Sequence, residues 1–229
     1  MKKILVIASI FLIIFVAGCA RGDGQAEQEG DSGEQGAKDY SFPKVNPSAL
    51  DGKKIYEMNC IGCHGKEGDG LGDLSAELDP KPADFNRDLT RNAKPYEYFD
   101  TVSKGKDGTA MQAWKDEMNE VSIWDVVFYV WTYRTDDLDI DDGKETYGIE
   151  CVRCHGEEGD GVGAYSKDYT PPPTDFTDLK FMVGKSDNEF YTSVFDGKEG
   201  TGMKAFGAEL GNEKVTHAVD YIRSFSYEF

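Results

Sequence analysis

Apolar positions gather in a few long stretches, separated by polar and glycine-rich ones. Ile4 to Val16 is an apolar run broken only by Ser9, whereas Ala20 to about Tyr40 has almost no apolar content. Val121 to Tyr133 is strongly apolar and aromatic, and Val215, Ala218, Val219, Ile222 and Phe225 recur at helical spacing. No segment shows a convincing strand alternation, so the pattern predicts an all-α fold. One helix is expected to open near Asn46 with Pro47 at its first position, where the missing N–H costs nothing. Its counterpart is expected to begin near Asp141, and the acidic stretch Thr135 to Asp141 reads as a linker.

The folded part is one unit written twice. Asp51-Gly52-Lys53, Cys60-Ile61-Gly62-Cys63-His64-Gly65, Gly68-Asp69-Gly70 and Pro82-Ala83-Asp84-Phe85 all recur at an offset of 91. Gly108-Thr109-Ala110-Met111, Trp114 and Tyr129 pair with Gly200-Thr201-Gly202-Met203, Phe206 and Tyr221 at an offset of 92. A whole domain has therefore been duplicated. Each copy reads as a helix running into a Cys motif, a Gly-rich loop, a Pro-containing segment, a short helix, a Met-bearing loop and a closing helix. The expected units are 46–136 and 137–229. Domains of that size bury a modest core and often lean on a metal or cofactor.

Charge narrows the partners. The 229 residues carry 25 Lys plus Arg against 43 Asp plus Glu, a formal net charge of −18. Such a chain lacks the basic face that nucleic acid requires, and it suits docking to a basic patch on another protein.

The amino terminus reads as an export signal over residues 1–18. A basic start, Met1-Lys2-Lys3, leads into an apolar run too short for a membrane span, and then into small residues. Val16-Ala17-Gly18-Cys19 resembles the bacterial lipobox, which implies lipidation of Cys19. Residues 19–45 are then expected to form a flexible, acidic tether with too little apolar surface to fold.

The chemistry lies in Cys-x-x-Cys-His, present as Cys60/Cys63/His64 and as Cys151/Cys154/His155. Two thiols at this spacing can form thioethers to the two vinyl groups of one haem, and the adjacent His can then ligate the iron. Zinc is a poor fit, since the two pairs lie 91 residues apart and each carries its own His. Of the five Cys, four belong to these motifs and one is Cys19, so none remains for a disulfide framework.

On these motifs each repeat resembles the class I cytochrome c domain, and the pair resembles tandem dihaem cytochromes c of bacterial respiratory chains, of the lipoprotein type. The resemblance covers residues from about 46 to 229. It implies two covalent haems c and, as second axial ligand, a Met. Three His cannot provide bis-His ligation of two haems, and only Met111 and Met203 coincide between the copies, each in Gly-Thr-x-Met. The expected iron ligands are thus His64 with Met111, and His155 with Met203. His217 reads as a helix residue rather than a ligand, and Met58 as core. The Pro80–Pro82 and Pro171–Pro173 stretches sit where related cytochromes accept the second N–H of the proximal His. Tyr129 and Tyr221 are candidates either for the haem edge or for core packing.

Function follows as an expectation. A haem with two tight protein axial ligands has no open site, so it can only pass electrons. The chain is expected to transfer electrons outside the cytoplasm, held to a membrane by its lipid, with a membrane oxidase, reductase or dehydrogenase among its partners. The alternative is a dihaem redox enzyme, of the peroxidase or sulfur-compound dehydrogenase type, with one labile distal site.

Overall fold

The computed structural model describes residues 40–87 and 91–228. The expected signal (1–18), Cys19 and the tether as far as residue 39 lie outside them. Nine α-helices and no strand occur among the described residues. In the first half these are α1 (Ala49–Asn59), α2 (Ile61–His64), α3 (Pro95–Lys104) and α4 (Glu120–Trp131). In the second they are α5 (Asp137–Glu150), α6 (Val152–His155), α7 (Leu179–Val183), α8 (Asp187–Phe195) and α9 (Gly207–Ser224). No helix among the described residues is long and apolar enough to cross a membrane.

Helix starts differ from the expected ones for local reasons. Ser48 rather than Pro47 marks the start of α1, because its Oγ accepts the backbone N–H of Asp51 at 3.2 Å. Pro47 precedes this cap and is fully buried. The second copy opens at Asp137, since Asp136 and Asp139 close a reciprocal capping box. The acidic residues expected as a linker thus form the first turn of α5, where carboxylates favour the positive end of the helix dipole.

Each half is built on one crossing: α1 packs on α4, and α5 on α9. Glycine permits the close approach. A Cβ on Gly52 would meet the carbonyl oxygen of Asp125, and one on Gly143 would meet that of His217. Beside the crossings, Tyr56 packs on Tyr129 and Tyr133, and Tyr147 on Tyr221 and Phe225. Helix α9 is kinked at Gly211, whose φ of 74° is left-handed.

The halves share a buried seam. Asp187, at the start of α8, accepts from Arg223 at 2.8 Å, from Arg134 at 3.2 Å and from the Trp131 indole N–H at 3.1 Å. Arg223 also donates to the carbonyls of Met182 and Lys185, at 2.6 and 2.9 Å. Arg91 pairs with Asp220 at 2.8 Å. The C-terminal residues return to the first half: the Ala49 N–H donates to the Glu228 carbonyl at 2.7 Å, the Glu228 N–H to that of Pro47 at 2.8 Å, and Tyr227 packs on Phe128. Tyr40, expected within the flexible tether (19–45), instead packs on the folded part: it stacks on Tyr96 and donates to the Lys180 carbonyl at 2.9 Å.

Candidate functional site

Each Cys-x-x-Cys-His segment forms one helical turn at the end of a longer helix. The carbonyl of Cys60 accepts the N–H groups of Cys63 and His64 at 3.2 and 2.9 Å, and that of Cys151 those of Cys154 and His155 at 3.1 and 3.0 Å. Gly65 and Gly156 end the turns at φ values of 78° and 82°, open to glycine without strain. Their carbonyls accept the hydroxyls of Tyr56 and Tyr147, both at 2.8 Å. The loops then fold back on the motifs, with the Gly70 N–H on the His64 carbonyl at 2.9 Å and the Gly161 N–H on that of His155 at 2.8 Å.

The two imidazoles are held alike. His64 stacks on Phe85 with ring centroids 4.8 Å apart, and His155 on Phe176 at 4.7 Å. Nδ1 of His64 lies 3.4 Å from the Ala83 carbonyl, and Nδ1 of His155 lies 3.0 Å from that of Thr174. A carbonyl can only accept, so Nδ1 carries the proton and Nε2 keeps its lone pair. Burial pushes both imidazoles below the ordinary histidine value, against an opposing pull from these carbonyls. The neutral form required of an iron ligand is therefore favoured. The acceptors follow Pro82 and Pro173 directly, one residue beyond the expected stretches.

In the second half a cavity of about 580 Å³ gathers the predicted residues. Cys151, Cys154 and His155 line one side, with Met203, Tyr169 and Pro171–Pro173 also in its wall. The volume falls within the range of cofactor pockets. Burial, with a smaller contribution from neighbouring negative charge, pushes the Cys60 and Cys151 thiols up to about 12, so neither is poised as a free thiolate. A largely apolar cavity lined by two cysteine sulfurs, a lone-pair imidazole and a thioether fits a covalently held haem. When bound, such a group supplies an iron that cycles between ferrous and ferric states.

The Met loops are built identically. In the first, the Lys106 N–H donates to the Met111 carbonyl at 3.0 Å, while the Met111 N–H donates to Thr109 Oγ1 at 3.1 Å. In the second, the Lys198 N–H donates to the Met203 carbonyl at 3.0 Å, and the Met203 N–H to Thr201 Oγ1 at 3.1 Å. Gly105, Gly108, Gly197 and Gly200 all take positive φ around these loops. The repeated Gly-Thr-x-Met thus fixes a rigid turn, half-burying each Met.

Other residues fall elsewhere. His217 faces the start of α5, with Nε2 3.1 Å from Asp139 and Nδ1 3.6 Å from Asp142. Met58, expected in the core, is 74% exposed, because the apolar side of α1 is supplied by Ala49, Gly52 and Tyr56. Met182 is fully buried in the second core. Tyr129 and Tyr221 serve the helix crossings. Sequence reading missed the Tyr56–Gly65 and Tyr147–Gly156 clamps, although both tyrosines recur at the offset of 91.

A family model described as cytochrome c oxidase, cbb3-type, subunit III matches this chain twice, over residues 47–130 and 138–222. The chain belongs to this family. As a member with two tandem domains, it is a dihaem c-type cytochrome, with two covalently bound haems c. A relative in Azospirillum brasilense, the cbb3-type cytochrome c oxidase subunit CcoP, is 22% identical over 184 residues, covering 76% of this chain and 60% of that one. The chain thus spans about 60% of the length of that relative. Among solved structures, a chain of the reducing HAO-like protein complex of Kuenenia stuttgartiensis is 27% identical, with a TM-score of 0.37, covering 81% of this chain and 99% of that one. Cytochrome CL of Methylophaga aminisulfidivorans is 21% identical, with a TM-score of 0.29, covering 54% of this chain and 71% of that one.

Proposed function

We propose that this cytochrome relays electrons between partners outside the cytoplasm, with both irons closed by a His and a Met. Cys60 and Cys63 hold the first haem, with His64 and Met111 as axial ligands. Cys151 and Cys154 hold the second, with His155 and Met203. The observation that carries this reading is the single cavity lined by Cys151, Cys154, His155 and Met203. The first half supports the same reading by repetition: its motif turn, imidazole contacts and Met loop match those of the second. Thioether sulfur stabilises ferrous iron relative to a second imidazole, so both sites suit an acceptor of fairly high potential.

The likeness to an oxidase subunit favours a membrane oxidase as one partner, and Cys19 provides the lipid that keeps the protein beside it. A formal charge of −18 favours a basic docking patch, with association slowing as salt rises. The test is replacement of Met111 or Met203 by Ala in the haem-loaded protein. Each variant should lower the potential of one haem and open that iron to carbon monoxide. Carbon monoxide binding to the unaltered protein, or to neither variant, would overturn the ligand assignment.

A further inference from the structure

The surfaces through which the halves meet are equivalent positions of the repeat. Trp131 of the first half and Arg223 of the second stand at an offset of 92 and touch each other, the guanidinium carbon 5.6 Å from the indole centroid. Both are buried, at 2% exposure. From this junction an unbroken series of packed side chains runs to each imidazole through equivalent positions. On one side Trp131 packs on Tyr98 at 5.3 Å, Tyr98 on Phe85 at 6.2 Å, and Phe85 on His64 at 4.8 Å. On the other, Arg223 lies over Phe190 at 4.8 Å, Phe190 packs on Phe176 at 6.2 Å, and Phe176 on His155 at 4.7 Å. One series of side-chain contacts therefore joins the two imidazoles across the seam.

We propose that this bridge, with Trp131 at its centre, is the medium through which the two haems exchange electrons; the inference rests on ligation by His64 and His155. Tunnelling decays less steeply through packed atoms than across gaps, and each ring spacing here is that of direct aromatic contact. The junction is also rigid. Trp131 donates to Asp187, and Arg223 is held by Asp187 and by the carbonyls of Met182 and Lys185, so little rearranges when an electron passes. The exchange balances without a co-reactant: one iron goes from ferrous to ferric, the other from ferric to ferrous. No proton moves, and Trp131 and Tyr98 keep their oxidation state. They act as positioning residues for the exchange.

The test uses the full-length, haem-loaded protein. A redox titration first assigns a potential and a visible spectrum to each haem. One electron is then delivered by a photoexcited flavin, and its redistribution is followed at wavelengths where the two spectra differ. Trp131→Leu should slow the redistribution by at least an order of magnitude while both potentials stay unchanged, because an aliphatic side chain leaves a gap in the series. Trp131→Phe should restore most of the rate. Should Trp131→Leu disturb the seam and shift the potentials, Tyr98→Leu decides, since it removes a ring from the same series without removing a bond across the seam. Redistribution at the original rate and unchanged potentials in Tyr98→Leu or Trp131→Leu would overturn the proposal and leave the electron-transfer function intact. Failure of either haem to accept an electron would instead count against the function itself.

Discussion

Arg223 and Asp187 form a fully buried pair, with Nη2 and Nε of the guanidinium 2.8 and 2.9 Å from one carboxylate oxygen. Arg134 and Trp131 reach the same carboxylate from the first half, so a single side chain ties the two repeats together. Removing one partner of such a group leaves buried charge uncompensated, at about 3–5 kcal/mol. Asp187→Ala should therefore lose stability on that scale in chemical denaturation. Two separated transitions should replace a single one, as the repeats come apart before they unfold.

Glycine at the two helix crossings is a steric requirement. Gly52→Ala and Gly143→Ala gain helix propensity but press a methyl group into a neighbouring backbone carbonyl. Overpacking of this kind costs about 1–3 kcal/mol, more than the propensity gained. Thermal unfolding of each variant should begin at lower temperature than that of the parent.

The tyrosine clamps behind the Cys motifs should contribute less. Tyr56→Phe removes the bond to the Gly65 carbonyl, which keeps a long contact with the Gly68 N–H at 3.4 Å. The expected loss is about 0.5–1.5 kcal/mol, the worth of an ordinary hydrogen bond. Haem content and visible spectrum should be unchanged, and a loss of covalent haem would show the clamp to be needed for attachment.

Asp220 gives the seam a pH dependence. Burial raises its carboxyl from the ordinary 3.8 to about 6, against the pull of Arg91. A carboxyl raised on folding favours the folded state while protonated. Its contribution is present below about pH 4 and is lost as pH rises through about 6. Between those values Asp220→Asn should show a stability–pH slope more positive than that of the parent. Identical slopes would mean that Asp220 does not titrate there.

Chemistry that fixes residue type was legible in the sequence; chemistry between distant elements was not. The thioether motif and the Gly-Thr-x-Met loops demand particular side chains at fixed spacing, so they survived duplication as visible text. The helix crossings appeared in the repeat of Asp-Gly-Lys, although only the structure shows why the glycine is needed. The seam was hidden because it uses positions where the copies disagree: Trp131 faces Arg223, and Asp187 stands where the first copy has Pro95. Those differences let the two copies complement each other, and a search for likeness passes over them. Met58 misled for a simpler reason, since an apolar side chain on a short helix says nothing of which face turns inward.

In the proposed cytochrome both irons are closed by methionine. Sulfur bound to ferric haem gives a weak charge-transfer band in the far red, and its intensity per haem in the purified ferric protein counts the sites so ligated. Intensity for two haems is expected, abolished in part by Met111→Ala or Met203→Ala and wholly by the double variant. Intensity for one haem or none in the unaltered protein would contradict this ligation and point to an open iron able to react with peroxide or sulfur compounds.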